Sequence, residues 1–211
     1  MFGWGARKES GVPESAPHST VTESLHGSKA LPKFLAAARL RDAPFVLDLG
    51  PVVGPNVSFL GEQLSCRIQI ADLYVDVDAC AKRGSTEGLS DALLARIREA
   101  APSGVDAILC WDLFDYLERP VGRALGETLA GLLHPKGVLH AYFGSTAAQL
   151  THQTRFIIQS ETGIKWRQAP ATPVTRTVWQ TGELNRLFPG LSTVESVLLA
   201  NKTREILLRK S

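Results

Sequence analysis

A chain of 211 residues, 44% hydrophobic and 21% charged, has the length and composition of one globular domain with a real core. Its net charge of +2 is too small to argue for nucleic acid or an anionic membrane as partner. Cys66, Cys80 and Cys110 share no C-x-x-C spacing, so neither a zinc site nor a disulfide framework is signalled, and a reducing, cytoplasmic setting fits best.

Residues 1–28 are rich in Gly, Ser, Pro, Thr and charge; that composition predicts a flexible tail, followed by a single α/β domain over 29–211. The opening "MFGWGARKESG" lacks the apolar core of a signal peptide. No run approaches the ~20 apolar residues of a membrane span. "ALPKFLAAARLRD" sets Leu31, Phe34, Leu35 and Ala38 on one helical face, with Pro32 in the first turn. "PFVLDLG" (44–50) is a continuous apolar run ending in Asp and Gly, as a central parallel strand reads. "NVSFLGEQL" fits a short helix and "SCRIQIADLY" (65–74) a second strand.

"GLSDALLARIREA" (88–100) predicts a helix with Leu89, Leu93, Leu94 and Ile97 on one side and Ser90 or Asp91 as its cap. "VDAILCWD" (105–112) is a third strand. In the next segment Val121, Ala124, Leu125, Thr128, Leu129 and Leu132 recur at helical spacing until "HPKG" stops them. "GVLHAYFG" (137–144) is a fourth strand, and residues 145–180 show no clear period. "TGELNRLFPG" reads as a short helix. "STVESVLLA" and "REILLRK" read as two strands joined by "NKT", where Asn201 tolerates the left-handed backbone of a tight turn. Alternating strands and helices predict a Rossmann-like, doubly wound, mostly parallel sheet with helices on both faces, closed by a C-terminal antiparallel hairpin.

In such sheets a ligand lies beyond the carboxyl ends of the strands, at the switch point of strand order. Asp48 and Gly50 stand at the first strand's exit, Gly54 opens the next helix, and Asp72 ends the second strand eighteen residues later. A carboxylate only accepts hydrogen bonds, so an acid at that place suits a ribose diol. A GxGxxG nicotinamide loop needs glycine at 52 and 55, where Val52 and Pro55 stand. No Gly-Lys-Ser/Thr of a phosphate loop occurs.

With these features the chain resembles the class I S-adenosylmethionine-dependent methyltransferases over roughly residues 30–211. "VLDLGPVVG" is similar to their acid-x-Gly-x-Gly-x-Gly motif, Asp72 to their second-strand acid, "VDAILCWDLFDYL" to their fourth-strand motif, and "LAGLLHPKGVLHAYF" to the helix, turn and strand that follow. Val52 replaces the middle glycine, and the segment from Asp72 to Val105 is short for the strand–helix unit that contacts adenine in that family.

The resemblance implies S-adenosylmethionine as cofactor, held by Asp48, Gly50, Pro51, Val52, Gly54, Asp72, Leu73 and Trp111. It implies methyl transfer to a small-molecule or protein acceptor. Asp112 is either a general base or a helix cap, and His152 is a second candidate base. Asp115, Tyr116 and Trp166 are candidates for the acceptor side. No metal set is seen. A non-catalytic relative that kept the fold and altered its loop is the alternative, with a NAD-dependent oxidoreductase behind it.

Overall fold

A computed structural model describes residues 22–211 of the chain. A six-stranded sheet has the order β3-β2-β4-β5-β9-β8. Here β2 is Phe45–Asp48, β3 Arg67–Ile70, β4 Val105–Trp111, β5 Leu133–Gly144, β8 Leu191–Leu198 and β9 Thr203–Lys210. β3, β2, β4 and β5 run parallel, and β9 and β8 close the sheet antiparallel. The expected doubly wound sheet and C-terminal hairpin are both present.

Alternation along each strand sends side chains to two cores. Val46, Leu109 and Tyr142 pack with α1 (Ala30–Ala38) and α2 (Gly54–Leu64) on one face. Leu47, Ile108 and Phe143 pack on the other with α3 (Tyr74–Arg83), α4 (Leu89–Ala100), α5 (Arg119–Leu132) and α6 (Thr181–Leu187). The α1 face expected from its spacing, Leu31, Phe34, Leu35 and Ala38, is buried throughout.

Strand order reverses between β2 and β4, so the exit loops of these two strands flank the switch point. Across that end lies a second, antiparallel sheet, β1-β7-β6. It comprises β1 (Glu23–Gly27), β6 (Gln149–Ser160) and β7 (Gly163–Thr175). Asn56, in the first turn of α2, ties the two parts together. Its side-chain amide donates to the Phe156 carbonyl and its Oδ1 accepts the Ile158 N–H, each at 2.8 Å.

Several local expectations are corrected. Glu23–Gly27, within the stretch expected as tail, is a strand on the edge of β7. Composition hid it because its pairing is polar: Glu23 bridges Lys165 and Arg167, and His26 lies against Trp166. The tail expectation for residues 1–21 lies outside the described residues. The patternless 145–180 region is mostly the β6–β7 hairpin. Pro170 and Pro173 inside β7 argue against a strand when read locally. Residues expected to extend β3 to 74 instead turn at Asp72 (φ 42°) into α3. α4 starts after Gly88 (φ 72°) with no side-chain cap, so neither Ser90 nor Asp91 caps it. In the "NKT" turn Lys202, not Asn201, takes the left-handed backbone (φ 61°), while Asn201 Oδ1 accepts the Thr203 N–H. Between β3 and β4 lie two helices and no strand, which matches the shortened segment.

Candidate functional site

The exit of β2 sets the site. Asp48 is buried, and its Oδ1 accepts the Gly50 N–H (2.9 Å) and the Trp111 Nε1–H (2.7 Å). Burial raises its pKa to about 6 against those two hydrogen bonds. The chain then passes Pro51 and Val52 into α2. Val52 is 67% exposed and is not among the residues with positive φ. A side chain is therefore tolerated there without strain. Gly54 is also open, since a Cβ on it would meet nothing within 4 Å.

Gly50 is different. A Cβ there would stand 2.6 Å from Trp111 Cδ1 and 2.9 Å from Nε1. The indole thus rests directly on the glycine backbone, the close approach that only glycine permits. Trp111 reaches this place from the end of β4, past a register shift after Leu109 and with its own φ at 52°. Its ring stacks on Phe156 of β6, with centroids 5.1 Å apart and planes 6° apart.

On the other side of Pro51 a cleft of about 380 Å³ opens between α3 and the β6–β7 hairpin. Pro51, Asp72, Tyr74, Val75, Gln153 and Arg155 are among its walls. Asp72 is half-buried; burial raises its pKa, opposed by the charges of Arg96 and Arg155. Arg155 also lines a second cleft of about 340 Å³, shared with Val52, Gly54, Lys165 and Arg167.

Behind Tyr74 lies a polar network. The Tyr74 hydroxyl donates to Asp112 Oδ1 at 2.6 Å, and Tyr116 OH lies 3.4 Å from Oδ2. Asp115 accepts the Gly144 N–H at 3.0 Å and pairs with Arg176 at 2.9 Å. Burial raises Asp112 to about 6; burial and the neighbouring Asp112 charge raise Asp115 to about 7. Desolvation, with the same two acids, drives the Tyr116 phenol far above its ordinary value.

Of the residues expected at the cofactor, Pro51 and Asp72 meet at the larger cleft, Val52 and Gly54 border the second, and Asp48, Gly50 and Trp111 form a closed contact. Leu73 does not join them: it is fully buried in the core under α3. Asp112, Asp115 and Tyr116 do come together. Asp112 is covered by two phenols rather than open as a base. His152 stands apart on β6, exposed, with its ring against the Thr151 hydroxyl; only its carbonyl meets Tyr116. Trp166 packs on Tyr142 and Phe156 beneath the second sheet instead of facing a cleft. Sequence reasoning missed Tyr74 and Arg155. Tyr74 was within reach, two residues past the strand-end acid; Arg155 needed the hairpin to be recognised. No group of three or more metal-ligating side chains occurs, and no helix is long and apolar enough to cross a membrane, among the described residues.

No protein-family model and no curated protein matches the chain. Among solved structures, a S-adenosylmethionine-dependent methyltransferase from Clostridium acetobutylicum is 10% identical, with a TM-score of 0.50 over 87% of this chain and 92% of its own. A S-adenosylmethionine-bound amino pentose methyltransferase from Micromonospora echinaspora is 15% identical, with a TM-score of 0.49 over 86% of this chain and 89% of its own. At such identity the likeness is one of fold, and the fold is that of the class I methyltransferases.

Proposed function

We propose that the chain binds S-adenosylmethionine at the Pro51–Asp72–Tyr74 cleft and transfers its methyl group to a small-molecule or protein acceptor. One observation carries the reading. In a class I methyltransferase fold, the acid ending the strand beside β2 is half-buried in an open cleft at the switch point of the sheet. A carboxyl group there suits a ribose diol. The nucleoside half of the donor therefore fits the residues present. Its amino-acid half does not fit the chain as it stands, because the Trp111 indole covers Gly50.

When bound, the donor supplies the reactive methyl group, and the protein's work is to orient the two reactants. Tyr74 borders the cleft and holds Asp112 behind it, so it is the group through which Asp112 would act on a ligand. The free thiols Cys66, Cys80 and Cys110 support a reducing, cytoplasmic setting.

The contact of Trp111 with Gly50 also favours a second reading, a relative that keeps the fold and binds a nucleoside-type ligand without transferring a methyl group. Calorimetry with S-adenosylmethionine, its demethylated product and NAD separates the possibilities. Heat from the first two supports the donor reading, and turnover against an acceptor panel selects the enzyme over the binding protein. No heat from either at millimolar concentration removes the donor reading.

A further inference from the structure

We propose that Trp111 divides the site, admitting the nucleoside end of an adenosine-type ligand and withholding affinity from the amino-acid tail on its 5′ side. The inference rests on the donor reading above and specifies which part of the donor this chain grips.

An acid on the second strand fixes a ribose so that its 5′ substituent turns toward the loop after the first strand. That loop begins at Gly50, whose open face the indole already fills. Three contacts hold the ring there. Its Nε1–H donates to Asp48 at 2.7 Å, its face stacks on Phe156, and His140 meets it edge-on with centroids 6.0 Å apart. Only 2% of Trp111 is exposed.

Asp48 is the nearest carboxylate to that loop, and both its recorded hydrogen bonds come from the protein itself, Gly50 and Trp111. A tail ammonium reaching Asp48 would have to displace the indole N–H and undo the stack. It would replace one donor by another while opening a buried aromatic contact. The exchange is close to even, so the tail adds nothing net. Trp111 is also held at φ 52°, a conformation that non-glycine residues adopt at a cost and that surrounding contacts must sustain.

The test is a pair of dissociation constants measured on the full chain by calorimetry. S-adenosylhomocysteine carries the tail; 5′-methylthioadenosine keeps the nucleoside and sulfur but ends in a methyl group. The wild type should bind the two within about threefold of each other. Trp111→Ala frees Gly50 and Asp48 together, and should then favour the tailed ligand by about tenfold or more. Trp111→Phe keeps a ring against Phe156 but lacks the N–H donor, and should shift the ratio the same way by less. If the alanine variant does not fold, the wild-type ratio and the phenylalanine variant decide.

A wild type that prefers S-adenosylhomocysteine by about tenfold or more overturns the inference and leaves the donor reading standing. So does a ratio unchanged in the folded variants. If neither ligand binds wild type or variant, the donor reading falls and this inference with it.

Discussion

Two buried acidic centres lie on this sheet, and their surroundings push them in opposite directions. Beneath the first turn of α1, the Glu205 carboxylate accepts the Ser28 hydroxyl at 2.5 Å, the Lys29 N–H at 3.0 Å and the Tyr142 hydroxyl at 3.1 Å. His140 Nε2 stands 3.1 Å from the same group. Burial opposes its ionisation, but the His140 hydrogen bond and charge, with Ser28 and Lys29, hold its pKa at about 2. At the mouth of the sheet Asp48, Asp112 and Asp115 are raised to about 6, 6 and 7, with burial the largest cause for each. Burial alone does not decide the charge state. The donors aimed at the group and the like charges beside it do. The first centre anchors α1; the second keeps protons within reach of a cleft.

The sharpest way to break this contrast is to remove the anchor. Glu205→Ala strands Ser28, His140, Tyr142 and the first N–H groups of α1 without their shared acceptor. Stability should drop by about 3–5 kcal/mol, the scale of a buried charged centre losing one partner. Chemical denaturation checks it, and a loss below about 1 kcal/mol would mean that Glu205 does not organise the cluster.

Next in size is the pH dependence. Glu205 has a depressed pKa, so its contribution is complete above its ordinary value of 4.5 and is lost as pH falls toward 2. The three aspartates have raised values, so the native state holds protons that the unfolded state has released. Their effect is a loss of stability as pH rises from 3.8 toward 6 or 7. For Asp112 alone the shift corresponds to about 3 kcal/mol. Denaturation midpoints should therefore rise from pH 2 to about 4 and fall from there to about 7. Asp112→Asn should flatten the falling limb while leaving the rising limb in place. A flat profile between pH 4 and 7 would show that these carboxyls are solvated in the native state.

Asp72 belongs to the same mouth but is only half-buried, and its place is on the cleft wall. Its removal should act on binding rather than on folding. Asp72→Ala should weaken S-adenosylhomocysteine binding by about 1–3 kcal/mol, the range of a hydrogen bond to a charged group. An unchanged dissociation constant would take Asp72 out of the site.

The architecture was legible because buried parallel strands leave a plain signal: "FVLD" and "VDAILCW" read as apolar runs and are covered on both faces. The site was legible only where it coincides with strand ends, at Asp48, Gly50 and Asp72. What stayed hidden depends on distant segments meeting. Trp111 and Gly50 are far apart in sequence, and nothing local predicts that one side chain fills the other's open face. The β6–β7 hairpin was invisible for a related reason. Its outer face is polar, two prolines interrupt it, and its inner aromatics, Phe156 and Trp166, acquire meaning only against Tyr142 and Trp111. His152 and Trp166 looked like candidates because the strand alternation that turns them away from the cleft could not be read.

The smallest expected effect concerns the position where the sequence departs most visibly from its motif. Val52 takes the place of a glycine, yet its backbone does not need glycine and its side chain is largely in solvent. Restoring the motif with Val52→Gly should leave the dissociation constant for S-adenosylhomocysteine within about twofold. Stability should fall by about 0.5–1 kcal/mol, since glycine widens the unfolded ensemble without improving the folded one. The comparison to make is with Trp111→Ala. If Trp111 sets the limit on the tail, only the tryptophan variant gains affinity. If Val52→Gly gains about tenfold instead, the loop itself limits binding, and the closed contact over Gly50 is incidental to it.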